Sequence, residues 1–141
     1  MLSGAIGLQI IARRLGVELG EQQLSNFKDI DKRELTFKEI KRLSGDHSLV
    51  CRALKTNSSG LSAAVKKQPV LAQLKNGRYV IVLKLSEGSD QSKTVTIIDP
   101  KASNPKAESI GIAEFNSVWN GTGLIFKKSR QLRQASGEIS V

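Results

Sequence analysis

The residue types that most often carry out covalent or metal chemistry are scarce in this chain. Its 141 residues include one cysteine, Cys51, and one histidine, His47. A single cysteine cannot form an intrachain disulfide, and one residue of each type is too few for a Cys/His metal site. Cys51 lies in an apolar stretch that predicts a strand, so we interpret it as a core residue rather than a nucleophile. His47 follows a predicted helix and is expected to interact with the helix dipole rather than to act as a base.

Common catalytic and nucleotide-binding motifs are absent from the sequence as well. It has no Gly-x-x-x-x-Gly-Lys loop for phosphates and no Gly-x-Ser-x-Gly turn for a serine nucleophile. It also has no acidic triplet for a divalent metal. We therefore expect no cofactor and no metal.

The charge of the chain raises the question of nucleic acid. Lys and Arg number 22 against 13 Asp and Glu, which gives a net charge of +9, and such a chain suits a phosphate partner. The basic residues are scattered, however, and most of the few aromatic residues stand at positions typical of a core. We expect no nucleic-acid partner, and a basic nucleic-acid-binding module remains an alternative.

The first third of the chain has the apolar spacing of helices. Three helices are predicted, at residues 3–15, 18–27 and 36–45. Gly16 closes the first helix, and the charged residues 29–34 connect the second to the third. Thr36 and Glu39 form the Thr-x-x-Glu pattern of a capping box, which satisfies two backbone amides at a helix start.

From residue 49 onward the apolar period shortens to that of strands. Strands are predicted at residues 49–54, 69–74, 79–85, 94–99 and 123–126, and short helices at 58–65 and 112–119. Asn76-Gly77 is a hairpin turn signal, and residues 79–85 are typical of a buried central strand. Residues 87–93 and 102–108 are predicted to be loops. Helices followed by a mostly antiparallel sheet indicate an α+β fold.

The length and the apolar runs of the chain limit the number of domains and the cellular compartment. The chain has room for one domain. No apolar run reaches 18 residues, and the first residues lack the basic start of a signal peptide. A reducing, cytosolic setting is the expectation that follows.

Four segments in this order resemble the N-terminal peptidase domain of bacterial peptide- and protein-exporting ABC transporters. They are the helix that opens with Ser3-Gly4, the capping-box helix, the hairpin and strand around Arg78-Tyr79, and Asp99-Pro100 with the helix around Phe115 and Trp119. That family consists of papain-like cysteine peptidases that remove leader peptides from bacteriocins. The resemblance implies a papain-like α+β fold for residues 1–129. Residues 130–141 would be a basic linker toward a transmembrane domain outside this chain.

The resemblance also assigns the catalytic positions. In the active family a Cys-Gly dipeptide opens the first helix, where this chain has Ser3 followed by Gly4. The general base is a histidine after the hairpin, where this chain has Tyr79, and the orienting acid corresponds to Asp99. The oxyanion-hole glutamine before the cysteine has no counterpart, because the chain begins at Met1. A serine depends on a base even more than a thiol does, and an ordinary phenol is a poor base near neutral pH, so we predict no catalysis.

These departures imply the inactive branch of the family, the peptidase-like domain of a type I secretion ABC transporter. In that branch the domain holds an unfolded secretion substrate, often a repeat-in-toxin protein, on the cytoplasmic side of the bacterial inner membrane. The implied partners are this substrate, the transmembrane and nucleotide-binding domains of the transporter, and the membrane fusion protein. The predicted substrate contacts are Ser3, Arg78, Tyr79 and Asp99, which together we name the relic cleft. Acidic substrates would be attracted by the positive net charge.

Simpler roles for these residues, and other functions, stay open at this point. Tyr79 could be an ordinary strand residue, Asp99 a cap for the Asp-Pro turn, Ser3 the N-cap of the first helix, and Trp119 a core residue. One functional alternative is an active leader-cleaving peptidase, which would need Cys51 as nucleophile. Another is a regulatory domain that contacts only the ATPase part of the transporter.

Overall fold

A computed structural model of the chain describes residues 2–25, 30–86, 93–102 and 105–128. In chain order its elements are α1 (Ser3–Arg14), α2 (Glu21–Ser25), α3 (Phe37–Asp46), β1 (Leu49–Lys55), α4 (Ser58–Val65), β2 (Val70–Leu74), β3 (Tyr79–Leu85), β4 (Thr94–Ile98), β5 (Ala107–Gly111), α5 (Ile112–Val118) and β6 (Trp119–Lys128). The α+β prediction is confirmed. The predicted linker 130–141 and most of the predicted loop 87–93 lie outside the described residues.

The six strands form one sheet in the order β1-β6-β2-β3-β4-β5, and neighbouring strands pair antiparallel. The sheet divides the core into two clusters, because successive strand residues point to opposite faces. Ile81 of β3 packs with α1 and α3 on one face, whereas Val80 and Val82 pack with α4 and α5 on the other. The strand predicted to be central is therefore buried on both faces.

Helix α1 lies directly against the middle of the sheet. A Cβ atom on Gly7 would come within 2.7 Å of the Leu71 side chain on β2, so glycine permits this close approach. The helix ends where Gly16 adopts a left-handed conformation with φ of +83°, as predicted. The Val17 amide then donates to the Ala12 carbonyl at 2.8 Å.

The start of α3 is fixed by the predicted capping box. The Glu39 amide donates to Thr36 Oγ1 at 3.2 Å, and the Thr36 amide donates to Glu39 Oε1 at 2.8 Å. Arg33 adds two hydrogen bonds to the same carboxylate, at 2.7 and 2.5 Å. These bonds to Arg33 are the main reason why the pKa of Glu39 falls to about 2. The cap anchors the segment before α3, which carries two residues of the site described below.

The Asn-Gly hairpin sets where β3 begins. Gly77 adopts a φ of +89°, and the Asn76 side chain accepts a hydrogen bond of 2.9 Å from the Arg78 amide. The Leu74 amide donates to the Arg78 carbonyl at 2.7 Å and closes the turn. Tyr79 is consequently the first residue of β3, with its side chain on the α1 face of the sheet.

The prediction of a loop over residues 102–108 is wrong at its end, because β5 begins at residue 107. Ile110 is half-buried in this edge strand, and the other four residues of the strand are exposed. It has no apolar alternation to detect, and its pairing with β4 is a long-range effect. The last strand is also longer than predicted, since β6 starts at Trp119. Trp119 is buried, with its ring centroid 5.4 Å from that of Phe115, which confirms it as a core residue.

We expect Thr36→Ala to lower the free energy of unfolding by about 1 kcal/mol, because it removes the oxygen that accepts the Glu39 amide. Thr36→Ser keeps a hydroxyl at this position, so its free energy of unfolding should fall much less. Urea denaturation followed by circular dichroism measures both variants. Equal losses for alanine and serine would show that the cap contributes nothing.

Candidate functional site

Ser3, which the resemblance assigns to the nucleophile position, is buried where three segments meet. Its side chain is fully enclosed at the first turn of α1. Ser3 Oγ donates a hydrogen bond of 2.5 Å to Glu34 Oε2 and accepts one of 2.9 Å from the Tyr79 amide. The prediction that Ser3 and Tyr79 meet, although 76 residues apart, is confirmed.

The interpretation of Ser3 as the N-cap of α1 is wrong. The N-cap position is held by Leu2, and its side chain makes no capping bond. The carboxylate of Glu34 caps the helix instead, accepting from the Ser3 amide at 3.2 Å and from the Gly4 amide at 2.9 Å. Ser3 lies one residue inside the helix, so its hydroxyl turns toward β3. A carboxylate also complements the positive end of the helix dipole.

Tyr79, which the resemblance assigns to the position of the base, is 1% exposed. Its hydroxyl donates to the Leu35 carbonyl at 2.8 Å, and Gln73 Nε2 lies 3.4 Å from the same oxygen. The ring packs against the helix start, since a Cβ on Gly4 would lie 3.0 Å from Tyr79 Cδ1. Burial, with a smaller contribution from the charge of Glu34, raises the pKa of Tyr79 to about 12. The phenol therefore stays protonated near neutral pH, and it donates its proton in the hydrogen bond to the Leu35 carbonyl.

Asp99 and Arg78 form the exposed part of the relic cleft. Asp99 Oδ1 accepts a hydrogen bond of 2.9 Å from the Lys101 amide, so the side chain caps the Asp-Pro turn. Arg78 Nη2 lies 3.5 Å from the same oxygen, with side-chain exposures of 46% for Arg78 and 36% for Asp99. The pairing of β3 with β4 brings Asp99 beside the first residues of β3. Asp99 thus lies beside Arg78, the residue before Tyr79, whereas the clustering of Asp99 with Tyr79 itself stays a prediction.

The hydroxyl of Ser3 is not accessible to a substrate in this arrangement. A nucleophile must reach the substrate carbonyl with a free lone pair, whereas Ser3 Oγ is enclosed and bonded on both sides. Glu34 is the carboxylate next to this hydroxyl, and it already accepts two helix amides. In this structure Ser3 and Tyr79 also have no surface for direct contact with a substrate.

Cys51 and His47 lie in structural positions. Cys51 is buried in β1 opposite Phe126, and burial raises the pKa of its thiol to about 12, which makes it inert. It is the core residue that the sequence predicts, and it does not supply the thiolate that an active peptidase would need. His47 forms the C-cap of α3, and its amide donates to the Ser44 carbonyl at 3.0 Å.

Two groups at the site were missed by sequence reasoning. Glu34 was assigned to a charged connector, and nothing local indicates that it caps a helix 31 residues earlier. Gln73 reaches both Tyr79 and Asn120, whose amide donates to Gln73 Oε1 at 2.8 Å. In the sequence, the one hint of the contact between Gln73 and Asn120 is that both are polar residues within or beside apolar strands.

Within the described ranges, no three His, Cys, Asp or Glu side chains are arranged to hold a metal ion. None of the helices in these ranges is long and apolar enough to cross a membrane.

Removing the carboxylate at the junction tests its structural role. We expect Glu34→Ala to lower the free energy of unfolding by about 2–3 kcal/mol, since it removes a helix cap and a charged partner of Ser3. Glu34→Gln keeps one oxygen and should lose less. The control is Glu18→Ala, which changes the same charge at an exposed position. Urea denaturation gives the free energies, and equal values for Glu34→Ala and Glu18→Ala would contradict the prediction.

Solved structures of low sequence identity share this fold. The N-terminal peptidase C39-like domain of a toxin secretion ATP-binding protein from Vibrio parahaemolyticus has a TM-score of 0.72 at 16% identity, over 92% of this chain and 99% of that one. A double glycine motif protease from an AMS/PCAT transporter, in complex with its leader peptide, has a TM-score of 0.71 at 17% identity, over 91% and 85% of the two chains. The peptidase domain of Streptococcus ComA, a bifunctional ABC transporter involved in quorum sensing, has a TM-score of 0.71 at 18% identity, over 86% and 88%.

These likenesses confirm the papain-like fold that the resemblance implied. No curated protein matches the sequence of the chain. The family profile of peptidase C39 matches residues 2–131, which is nearly the whole chain. The chain therefore belongs to the peptidase C39 family.

Proposed function

We propose that this chain is a catalytically inactive peptidase-like domain of a type I secretion ABC transporter. Its role is to dock the unfolded secretion substrate, a toxin or adhesin of the repeat-in-toxin type, during ATP-driven export. The observation that carries the proposal is the state of the nucleophile and base positions. Ser3 is enclosed and bonded on both sides, and Tyr79 is a buried phenol whose proton is committed to a backbone carbonyl.

Loss of catalysis follows from the chemistry of both positions together. Nucleophile, base and oxyanion donor act as a unit, so the loss of either the nucleophile or the base is already enough to remove most of the rate. A hydroxyl in place of a thiol needs a stronger base, whereas a phenol with a pKa of about 12 cannot accept a proton near neutral pH. Asp99 keeps the residue type of the orienting acid, but its oxygen is bonded to Lys101 and Arg78.

The context of an exporter is supported by the family and by the fold neighbours. One neighbour is the N-terminal domain of a toxin secretion ATP-binding protein, and another belongs to a bifunctional ABC transporter. We extend this context to the present chain as part of the proposal. Its partners would be the transmembrane and nucleotide-binding domains of the transporter and the membrane fusion protein. The domain would lie on the cytoplasmic side of the inner membrane, with residues 130–141 leading toward the bilayer.

Substrate contact at the relic cleft is restricted to its rim. Arg78 and Asp99 are exposed, whereas Ser3 and Tyr79 are buried and join the start of β3 to the start of α1. Tyr79→Ala is therefore a poor test of binding. It would delete a fully buried ring, at a cost of about 3–5 kcal/mol, and so confuse weak binding with unfolding.

Leader-peptide cleavage is the second candidate function. It is favoured by the family and by the hydrogen bond of 2.5 Å from Ser3 Oγ to a carboxylate, which could serve as a base. The enclosure of Ser3 and the two helix amides on Glu34 weigh against it. An active site would require α1 to move away from β3.

We expect no cleavage when the chain is incubated with double-glycine leader peptides, because no exposed nucleophile faces a base. Mass spectrometry of the peptides over time measures the turnover. Ser3→Ala and Cys51→Ala are the matched controls for the two possible nucleophiles. Turnover that either substitution abolishes would establish an active peptidase.

We expect an acidic secretion substrate to bind this domain weakly when unfolded and not when folded. A disordered chain loses conformational entropy on binding, which offsets much of the contact energy. The positive net charge adds an attraction that weakens as salt shortens the Debye length below about 10 Å. Titration of the labelled domain with denatured and with folded substrate, at low and high salt, measures both effects. Equal affinity for the two forms would contradict the docking function.

A further inference from the structure

A second concave surface lies on the α4 side of the sheet, away from the relic cleft. Strand β1 is an edge strand, and its residues alternate between the two faces. Leu49 and Cys51 point into the core shared with α1 and α3, so Val50, Arg52 and Leu54 point to the other face. Helix α4 covers β2 and β3 on this face and leaves the β1–β6 pair largely open.

The open surface forms a groove with an apolar floor. Its volume is about 450 Å³, which lies in the range of sites that hold ligands. The side chain of Val50, one of the two large apolar residues that are exposed in the described ranges, is 37% exposed here. Leu54 and Ile125 lie half-buried along the same floor. Neighbouring elements leave this apolar area in contact with water, which favours an apolar partner.

The groove continues past the end of α4 to the end of α1. A second hollow of about 300 Å³ shares Lys67 and Gln68 with the first and reaches Arg14 and Leu15. Helix α1 has 12 residues, so Arg14 lies about 17 Å along its axis from Ser3. The surface is thus separate from the relic cleft. We name the two hollows together the basic groove.

The charges around the basic groove all have one sign. Four exposed basic residues line it, namely Arg14, Arg52, Lys67 and Lys127. None of the described residues that line either hollow is acidic. At the relic cleft, by contrast, Arg78 is paired with Asp99. Cations at the edge of an apolar floor complement a partner that carries both acidic and apolar side chains.

We propose that the basic groove docks an acidic segment of the unfolded export substrate that contains apolar residues. That the segment belongs to an export substrate rests on the function proposed above. Its acidic and apolar composition, in contrast, follows from the residues of the groove. Carboxylates would pair with the four cations, and apolar side chains would cover Val50 and Leu54. An extended segment presents alternate residues to one side, so apolar residues at every second position can face the floor together. A concave site suits such a chain better than it suits the flat headgroup surface of a membrane.

The test uses the whole chain and a short synthetic peptide of alternating Asp and Leu residues. Arg52→Glu/Lys67→Glu reverses two charges of the groove. The matched control is Lys84→Glu/Lys106→Glu, which changes the net charge equally at exposed positions that do not line the groove. Long-range attraction falls by the same amount in both variants. The difference between their dissociation constants therefore reports on the groove alone. We expect the dissociation constant to rise about tenfold more in the groove variant than in the control.

The apolar part has its own variant and probes. Val50→Ser leaves every charge in place and, at an exposed position, should not unfold the domain. The substitution should weaken the binding of the Asp/Leu peptide. It should leave the binding of an Asp/Ala peptide, which is already weak, unchanged. A Lys/Leu peptide should not bind. NMR shifts on titration with the Asp/Leu peptide should include the amides of Val50, Arg52 and Ile125.

Several outcomes would overturn the proposal, and they differ in what they leave standing. Equal weakening in the groove and control variants, or shifts confined to residues around Arg78 and Asp99, would exclude the groove but leave the docking function intact. Binding to phosphatidylserine vesicles without binding of the Asp/Leu peptide would assign the groove to a membrane surface. If the unfolded substrate itself does not bind while the peptide shifts the groove amides, the surface stands and the proposed function fails.

Discussion

The arrangement of the helices on the sheet depends on the hydrogen bonds that meet at Ser3 and Glu34. They join the start of α1 to the segment before α3 and to the start of β3, where Glu34 and Tyr79 lie 31 and 76 residues after Ser3 along the chain. Hydrogen bonds to a charged group contribute about 1.5–3 kcal/mol each, and an enclosed group left without its partner costs more. Tyr79 adds a further bond between β3 and the segment before α3 through the Leu35 carbonyl. These bonds therefore hold the three segments together.

The same hydrogen bonds engage the hydroxyl groups of both Ser3 and Tyr79. An active peptidase has to keep its nucleophile accessible and its base ready to take a proton, so both groups stay incompletely bonded before substrate arrives. Here the hydroxyl and the phenol are satisfied within the protein. In the part of the chain that the structure describes, every buried side-chain oxygen and nitrogen has a hydrogen-bond partner. Under the proposed function, the residues at the former catalytic positions now stabilise the fold.

Sequence reasoning succeeded where the signal was local and failed where distant residues decided the outcome. The capping box at Thr36, the hairpin at Gly77 and the end of α1 at Gly16 each depend on a few adjacent residues, and all three are confirmed. The meeting of Ser3 with Tyr79 followed from the family resemblance rather than from any pattern in the chain. The cap on α1 was assigned to the wrong residue, because Glu34 reaches it from a distant segment. The burial of Tyr79 was also beyond a local reading, since Gly4 lies against the ring and the Leu35 carbonyl accepts from the hydroxyl, and both are distant in the chain.

A filled cleft and an open groove suit the different demands of cleavage and docking. Cleavage needs one substrate bond held in a fixed register within a deep site, because small displacements of the reacting atoms cost large factors in rate. Docking an unfolded chain needs no such register, and weak contacts allow the chain to be released for export. Shallow apolar area with basic residues around it meets this second demand, since the charges raise the rate of encounter and the floor adds short-range contact. Under the proposed function the fold does not have to keep a nucleophile accessible, so Ser3 and Tyr79 can close the cleft, and binding can take place at a surface where no acidic residue lines the groove beside Arg52 and Lys67.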